Sequence, residues 1–282
     1  MRSRQILSTL TLLAFIPAST LAWGDDCKFS ADRTGGVDAK GVEKVVLRTG
    51  AGDLTVIGGD RNVRIEARGK ACAASQELLD QTQITVRRDG NVVYVETAQV
   101  MEKDGWSLGH NDYAYIDAGI ALPSNIPVEA IDSSGDAKYE GLQSLALQDS
   151  SGDLEVRRIA GTAVIGDSSG DLEVRDVGSV KLNDSSGDIE VDEVRGDVEV
   201  DNDSSGDIRI TGVRASVMIR NDSSGGIRIE DVKGNVVVEN DSSGDIYAGR
   251  VTGDFTVNGD SSGSIEHESI GGKITIPSDK KD

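Results

Sequence analysis

Residues 184–202 read DSSGDIEVDEVRGDVEVDN, residues 203–221 read DSSGDIRITGVRASVMIRN, and residues 222–240 read DSSGGIRIEDVKGNVVVEN. Laid one under another, the three stretches keep their apolar residues in register. Ile189, Val191, Val194, Val198 and Val200 recur as Ile208, Ile210, Val213, Val217 and Ile219, then as Ile227, Ile229, Val232, Val236 and Val238. Inside each stretch the apolar residues alternate with polar ones. That is the period of a strand, and the branched side chains are those strands prefer. Such short strands do not hold as isolated hairpins. Stacked as successive coils they pair with their own copies above and below, about 4.8 Å apart, and their aliphatic columns merge into one dry core. The sequence therefore predicts an all-β parallel solenoid, right-handed by the usual rule for parallel crossovers.

The motif extends well beyond these three copies. Asp-Ser-Ser-Gly begins at Asp132, Asp149, Asp167, Asp184, Asp203, Asp222, Asp241 and Asp260, in steps of 17, 18, 17, 19, 19, 19 and 19 residues. A fixed period of this kind marks a repeat architecture. Working back toward the N-terminus, Gly52-Asp53-Leu54-Thr55-Val56 followed by Val63 and Ile65 keeps the same offsets, as do Ile84, Val86, Val93 and Val95. Asp89-Gly90 offers an alternative there, a local hairpin. Residues 73–80 read as a short inserted helix. The expected organisation is a signal peptide over 1–22, an N-terminal tail over 23–40, imperfect coils with insertions over 41–130, the regular repeat over 131–276 and a disordered tail over 277–282.

The leader has Arg2 and Arg4, an apolar run from Ile6 to Ala18 and the small-x-small site Thr20-Leu21-Ala22. That run is shorter than the ~20 residues a membrane helix needs, so the mature chain is expected to lack a transmembrane segment and to be periplasmic or secreted. In such an oxidising compartment Cys27 and Cys72 are expected to form a disulfide, with two unrelated buried thiols as the alternative. The chain of 282 residues carries 29 Lys and Arg against 49 Asp and Glu, a net charge of −20, and only 4% aromatics. An acidic balance of this size excludes a nucleic-acid partner.

Each Asp-Ser-Ser-Gly turn has an ordinary role. The carboxylate accepts backbone N–H groups two or three residues on, and glycine supplies a positive φ. Asn183, Asn202, Asn221 and Asn240 are placed to stack as an amide ladder. The charges are harder to place. Stacking puts one Asp over the next, and two carboxylates ~4.8 Å apart repel by about 0.9 kcal/mol even in water, of order 6 kcal/mol over a column. N–H donors, splaying into solvent or a bound cation could offset this. Asp184, Asp188, Asp203, Asp207, Asp241 and Asp245 are accordingly candidate Ca²⁺ ligands, because Asp, Ser and a turn carbonyl offer the oxygen donors calcium takes. No other cofactor is expected.

The signal peptide, the Gly-Asp-Leu-Thr-Val entry at 52–56, the Leu122-Pro123 lead-in and the Ser-Gly-Asp-Ile/Leu-x-Val coils resemble the bacterial secreted "putative adhesin" families of unknown function, over residues 40–276. The resemblance implies a β-solenoid of the cell envelope and provides no catalytic residue. A non-enzymatic adhesin-like scaffold or binding protein, with a protein or glycan partner at the cell surface, is the expected function. A calcium-binding module is the alternative. A carbohydrate-active β-helix enzyme stands third, since catalysis needs one distinctive constellation and these acids repeat. The aromatic-bearing stretch with Trp106, His110, Tyr113 and Tyr115 is a candidate contact loop, or else the cover of an end of the stack.

Overall fold

The computed structural model describes residues 27–98 and 113–278. The stretch expected to be a signal peptide, Trp106, His110 and residues 279–282 lie outside them. The elements in chain order are β1 (Phe29–Asp38), β2 (Lys44–Arg48), β3 (Leu54–Gly58), β4 (Arg64–Ala73), α1 (Gln76–Gln81), β5 (Gln83–Asp89), β6 (Val92–Ala98), β7 (Ala114–Leu122), β8 (Val128–Ile131), β9 (Ala137–Glu140), β10 (Leu145–Gln148), β11 (Leu154–Gly166) and β12 (Leu172–Asn183). Two strands per coil follow: β13 (Ile189–Val194), β14 (Val198–Asn202), β15 (Ile208–Thr211), β16 (Val217–Asp222), β17 (Ile227–Val232), β18 (Val236–Asp241), β19 (Ile246–Val251), β20 (Phe255–Asp260), β21 (Ile265–Ile270) and β22 (Ile274–Thr275).

The stack is the predicted parallel solenoid. Ile189 pairs with Ile208 and Val191 with Ile210, and these continue to Ile227 and Ile229. On the second side Val198 pairs with Val217 and Val200 with Ile219, which pair in turn with Val236 and Val238. Every one of these side chains is at most 1% exposed. The change from a 17-residue to a 19-residue step is absorbed at two places. Between β12 and β14 the register slips at Leu182/Asn183, so that Asn183 aligns with Asn202 and Asp201 is extra. Val177 still pairs with Val194 and Val180 with Val198, so the corner between them takes a second additional residue, as β-bulges allow.

From β9 onward each coil also turns a corner with a residue at positive φ just before an inward aliphatic. Arg158, Asp176, Glu193, Asp231, Arg250 and Ser269 occupy this position at φ of 53° to 58°, preceding Ile159, Val177, Val194, Val232, Val251 and Ile270. In two coils glycine takes it instead, Gly141 and Gly212, both near φ +74°. The left-handed region disfavours residues with a Cβ, and the buried aliphatic that follows holds the corner there.

The N-terminal third differs from the sequence expectation. β2 and β3 form a true coil, and β8 and β9 lie directly on it. The residues between do not add coils in order. They leave the stack and return beneath it, where β6 pairs with β2 and β7 with β3. Ile84, Val86, Val93 and Val95 belong to an antiparallel hairpin, β5 with β6, turning at Asp89-Gly90. The local hairpin thus replaces the coil read from their offsets. Val63 is 71% exposed, and Ile65 lies in a strand that pairs antiparallel with β1 and β7, so these residues are not a half-coil either. The stretch expected as a tail carries the ten-residue β1. The helix begins three residues later than predicted, because Ala73 still closes β4 and the Ser75 hydroxyl caps the helix by accepting from the Leu78 N–H at 3.2 Å. Cys27 and Cys72 are joined in a disulfide, Cα–Cα 5.7 Å, which ties the start of β1 to β4.

The two ends are unequal. β1, β4, β5 and α1 cover the base and finish the core there. At the far end, β21 and β22 are largely exposed, with Ile274 at 39%.

Candidate functional site

Each Asp-Ser-Ser-Gly-Asp turn sends its two carboxylates in opposite directions, and two rows result. The outer row is the second Asp of each turn. Its Oδ1 accepts the backbone N–H of the equivalent residue one coil on: Asp153 N–H to Asp136 at 3.1 Å, Asp171 to Asp153 at 3.1 Å, Asp188 to Asp171 at 3.0 Å and Asp207 to Asp188 at 2.9 Å. Asp207 and Asp245 hold the Gly226 and Ser264 N–H groups in the same way, at 2.8 Å and 2.9 Å. The row thus staples coil to coil. The amide ladder runs beside it, with Asn202 donating to Asn183 at 2.9 Å, Asn221 to Asn202 at 3.0 Å and Asn240 to Asn221 at 3.2 Å.

The inner row is the first Asp of each turn. Asp132, Asp149, Asp167, Asp184, Asp203, Asp222, Asp241 and Asp260 are all between 1% and 9% exposed. They stack in register, Asp203 on Asp222, Asp222 on Asp241 and Asp241 on Asp260. Oδ1 accepts from the turn itself, as at Asp167 from Ser168 N–H at 2.7 Å and at Asp203 from Ser205 N–H at 3.2 Å. At the base Thr49 stands where the next Asp would be, and its hydroxyl donates to Asp132 at 2.8 Å. The other oxygen, Oδ2 of Asp132, Asp167, Asp203 and Asp241, meets no N–H or alcohol donor.

Burial changes the energetics of this row. The repulsion of about 0.9 kcal/mol per pair in water becomes ~3.5 kcal/mol at an effective dielectric of about 20. Burial first, then the neighbouring carboxylates, pushes Asp149 and Asp222 up to about 7 and Asp203 and Asp241 to about 6. Asp184 also rises to about 6, mainly through burial. Tyr139, fully buried, takes the inward position held by Val156, Val174, Val191, Ile210 and Ile229 in the coils stacked after it, and burial with Asp132 and Asp149 nearby holds its phenol far above the usual range.

The six aspartates read as calcium ligands are thus divided. Asp184, Asp203 and Asp241 turn into the stack, while Asp188, Asp207 and Asp245 are engaged by backbone N–H groups of the next coil. Among the described residues no group of three or more His, Cys, Asp or Glu side chains is arranged to hold a metal ion.

On the outer face of the sheet a groove of about 1320 Å³ crosses β1, β4, β7, β3, β9, β11, β12 and β13. The outer row from Asp53 to Asp188 runs along it, with Arg33, Arg68 and Lys70 toward the base and Lys138, Glu155, Glu173 and Glu190 along its length. Several of these are paired, Lys138 with Glu155 at 2.7 Å and Arg157 with Glu173 at 2.9 Å. Asp117 is raised by burial despite accepting the Asp53 N–H at 2.9 Å. Beside it lies a smaller hollow of about 330 Å³ lined by Thr55, Ile57, Gly119 and Ala121, where Ile57 is 45% exposed. Periodicity gave no signal for this groove, because it depends on the returned strands β4 and β7.

Of the aromatic stretch, Tyr113 and Tyr115 are described. They are half-buried with ring centroids 6.3 Å apart. The Tyr113 hydroxyl accepts the Lys28 N–H at 3.1 Å, and Tyr115 pairs with Cys72. The structure therefore places them beside the disulfide at the base.

The model of the Toastrack DUF4097 family matches residues 42–276. The chain belongs to that family. No curated protein matches it. Among solved structures, this Toastrack chain is similar to a putative cell adhesion protein from Clostridium sporogenes, at 15% identity and a TM-score of 0.27, covering 88% of this chain and 99% of that one. It is similar to a putative adhesin from Bacteroides fragilis, at 12% identity and a TM-score of 0.38, covering 88% and 97%. A putative lipid binding protein from Parabacteroides distasonis is similar at 15% identity and a TM-score of 0.42, covering 87% and 96%. At these identities the likeness concerns the fold alone. Among the described residues of the Toastrack chain no helix is long and apolar enough to cross a membrane.

Proposed function

We propose that the protein is an exported, non-catalytic binding scaffold of the cell envelope, adhesin-like in role, whose long groove receives an extended segment of a protein or glycan partner. The observation that carries this is the groove itself. It passes over consecutive coils, and its lining repeats with the coil instead of converging on one point. Catalysis asks for a unique constellation of groups around a reacting atom. Recognition of a linear partner asks for what stands here, similar contacts set at regular intervals on a rigid face. The solenoid provides rigidity through its continuous core, and the outer row fixes the spacing between coils.

The test is binding of labelled protein to envelope fractions or intact cells, comparing the native chain with Glu173→Arg/Glu190→Arg. Both side chains point outward on the groove and leave the core untouched. Loss of binding with unchanged thermal unfolding supports the groove. Equal binding by the variant refutes it.

A further inference from the structure

The inner aspartate row does not take part in the groove, and its composition is unusual for a protein interior. Eight carboxylates stand in one file, one per coil, each at least nine-tenths buried. Buried charges are ordinarily paired with an opposite charge or coordinated to a metal. Here the groups facing the row do neither. From the segment before β3 comes the neutral Thr49 hydroxyl. From β9 comes Tyr139, whose hydroxyl has no hydrogen-bond partner. From the outer row come more negative charges: Asp153 toward Asp167, Asp171 toward Asp184 and Asp188 toward Asp203. Each turn supplies its own Ser N–H groups, which at Asp167 and Asp203 engage one oxygen and leave the second bare.

We infer that the inner row is a proton-binding site: at neutral pH it keeps protons shared between stacked carboxyls, and these protons hold the solenoid together. A protonated carboxyl donates to its neighbour's bare oxygen, which turns a repulsive contact into a hydrogen bond. The stacked pairs Asp203–Asp222 and Asp222–Asp241, in which Oδ2 of each carboxyl lacks a partner, are where such bonds would form.

The sign of the pH dependence follows. The folded row binds protons more tightly than the unfolded chain, whose aspartates ionise near 4. Between about pH 4 and pH 7 the folded state therefore holds more protons than the unfolded state, and stability falls as pH rises through that window. Exposed ion-paired acids act oppositely and lower down. Asp231, held below its ordinary value by Arg250, and Asp201, held down by Lys181, lose their contribution only in stronger acid.

The experiment is urea unfolding with EDTA at pH 5 and pH 8, on the native protein, on Asp203→Asn/Asp222→Asn, and on the helix control Glu77→Gln/Asp80→Asn, which removes the same formal charge from the surface. The native midpoint is expected to fall by about 1 M or more between pH 5 and pH 8. The inner-row variant should fall clearly less and exceed the native protein at pH 8, while the control keeps the native slope. An infrared band of protonated carboxylic acid at pH 6, present in the folded protein and lost in urea, is the direct signature. A midpoint that is flat or rises with pH, equal slopes in the two variants, or absence of the band overturns the inference. So does calcium that restores the pH 5 midpoint at pH 8, since a metal would then be the counter-charge.

Discussion

Gly206→Ala is the sharpest test of how tightly the coils are stacked. Gly206 sits at φ +133°, a region nearly closed to residues with a Cβ. A Cβ built there would lie 1.9 Å from the Gly187 carbonyl oxygen and 2.6 Å from its carbon. Both contacts are backbone, so no side chain can swing away. Ordinary contact is restored only if two coils separate locally by more than ~1 Å. That movement breaks the Gly187 N–H to Ser205 bond at 3.1 Å and the Asp207 N–H to Asp188 bond at 2.9 Å. Conformational strain of about 2 kcal/mol and two hydrogen bonds at ~1 kcal/mol each bring the loss to about 4 kcal/mol. Two other glycines calibrate the measurement. Gly90 has φ +60° and open space around it, so Gly90→Ala should cost only about 1 kcal/mol of backbone strain. Gly119 has no strained φ, and its nearest neighbour would stand 3.9 Å away, so Gly119→Ala should be close to neutral. Urea unfolding followed by circular dichroism ranks all three. If Gly206→Ala falls within about 0.5 kcal/mol of Gly119→Ala, the close stacking of the turns is wrong.

Three further outcomes are expected. Ile210→Ala removes a fully buried side chain from the middle of a column and should cost about 2–5 kcal/mol, read from the same urea midpoints. Cys72→Ser opens a cross-link spanning 45 residues, worth about 4 kcal/mol in chain entropy; limited proteolysis should then cut within Phe29–Asp38 while the repeat coils survive. Asp207→Ala deprives the Gly226 N–H of its acceptor at 2.8 Å and should speed exchange of that amide by roughly tenfold, with little change at amides two coils away.

The repeat region was readable from sequence because three signals coincide there. Apolar alternation, branched residues and a fixed turn each point to the same coil, so period alone sets Val191, Ile210 and Ile229 in one file. The Asn183 to Asn240 ladder follows from the same period. The base was not readable, because alternation reveals a strand and not its partner. Ile65 and Ile84 have inward spacing whether they sit in a coil or in an antiparallel strand. Only the short Asp89-Gly90 turn hinted at the second. The corner residues carried no signal at all, since Glu193 and Arg250 have none of the glycine or asparagine character usual for positive φ. The two aspartates of each turn look equivalent in sequence, four residues apart. Turn geometry alone sends Asp203 inward and Asp207 to the surface, and with it the difference between a proton store and a backbone staple.

The coil formed by β2 and β3 has its floor in β6 and β7 and its ceiling in β8 and β9, all of which follow it in the chain. Its residues therefore emerge first in synthesis yet wait for sequence as far as Glu140 before both faces are covered. A repeat coil such as 203–221 needs only the next nineteen residues. Assembly should accordingly run fastest through the local contacts of the repeats, with the base closing by long-range contacts and therefore slowly. The aliphatic groups of Val45, Leu47, Leu54 and Val56 then stay uncovered longest in a newborn molecule, which makes this segment the natural place for a chaperone to hold it.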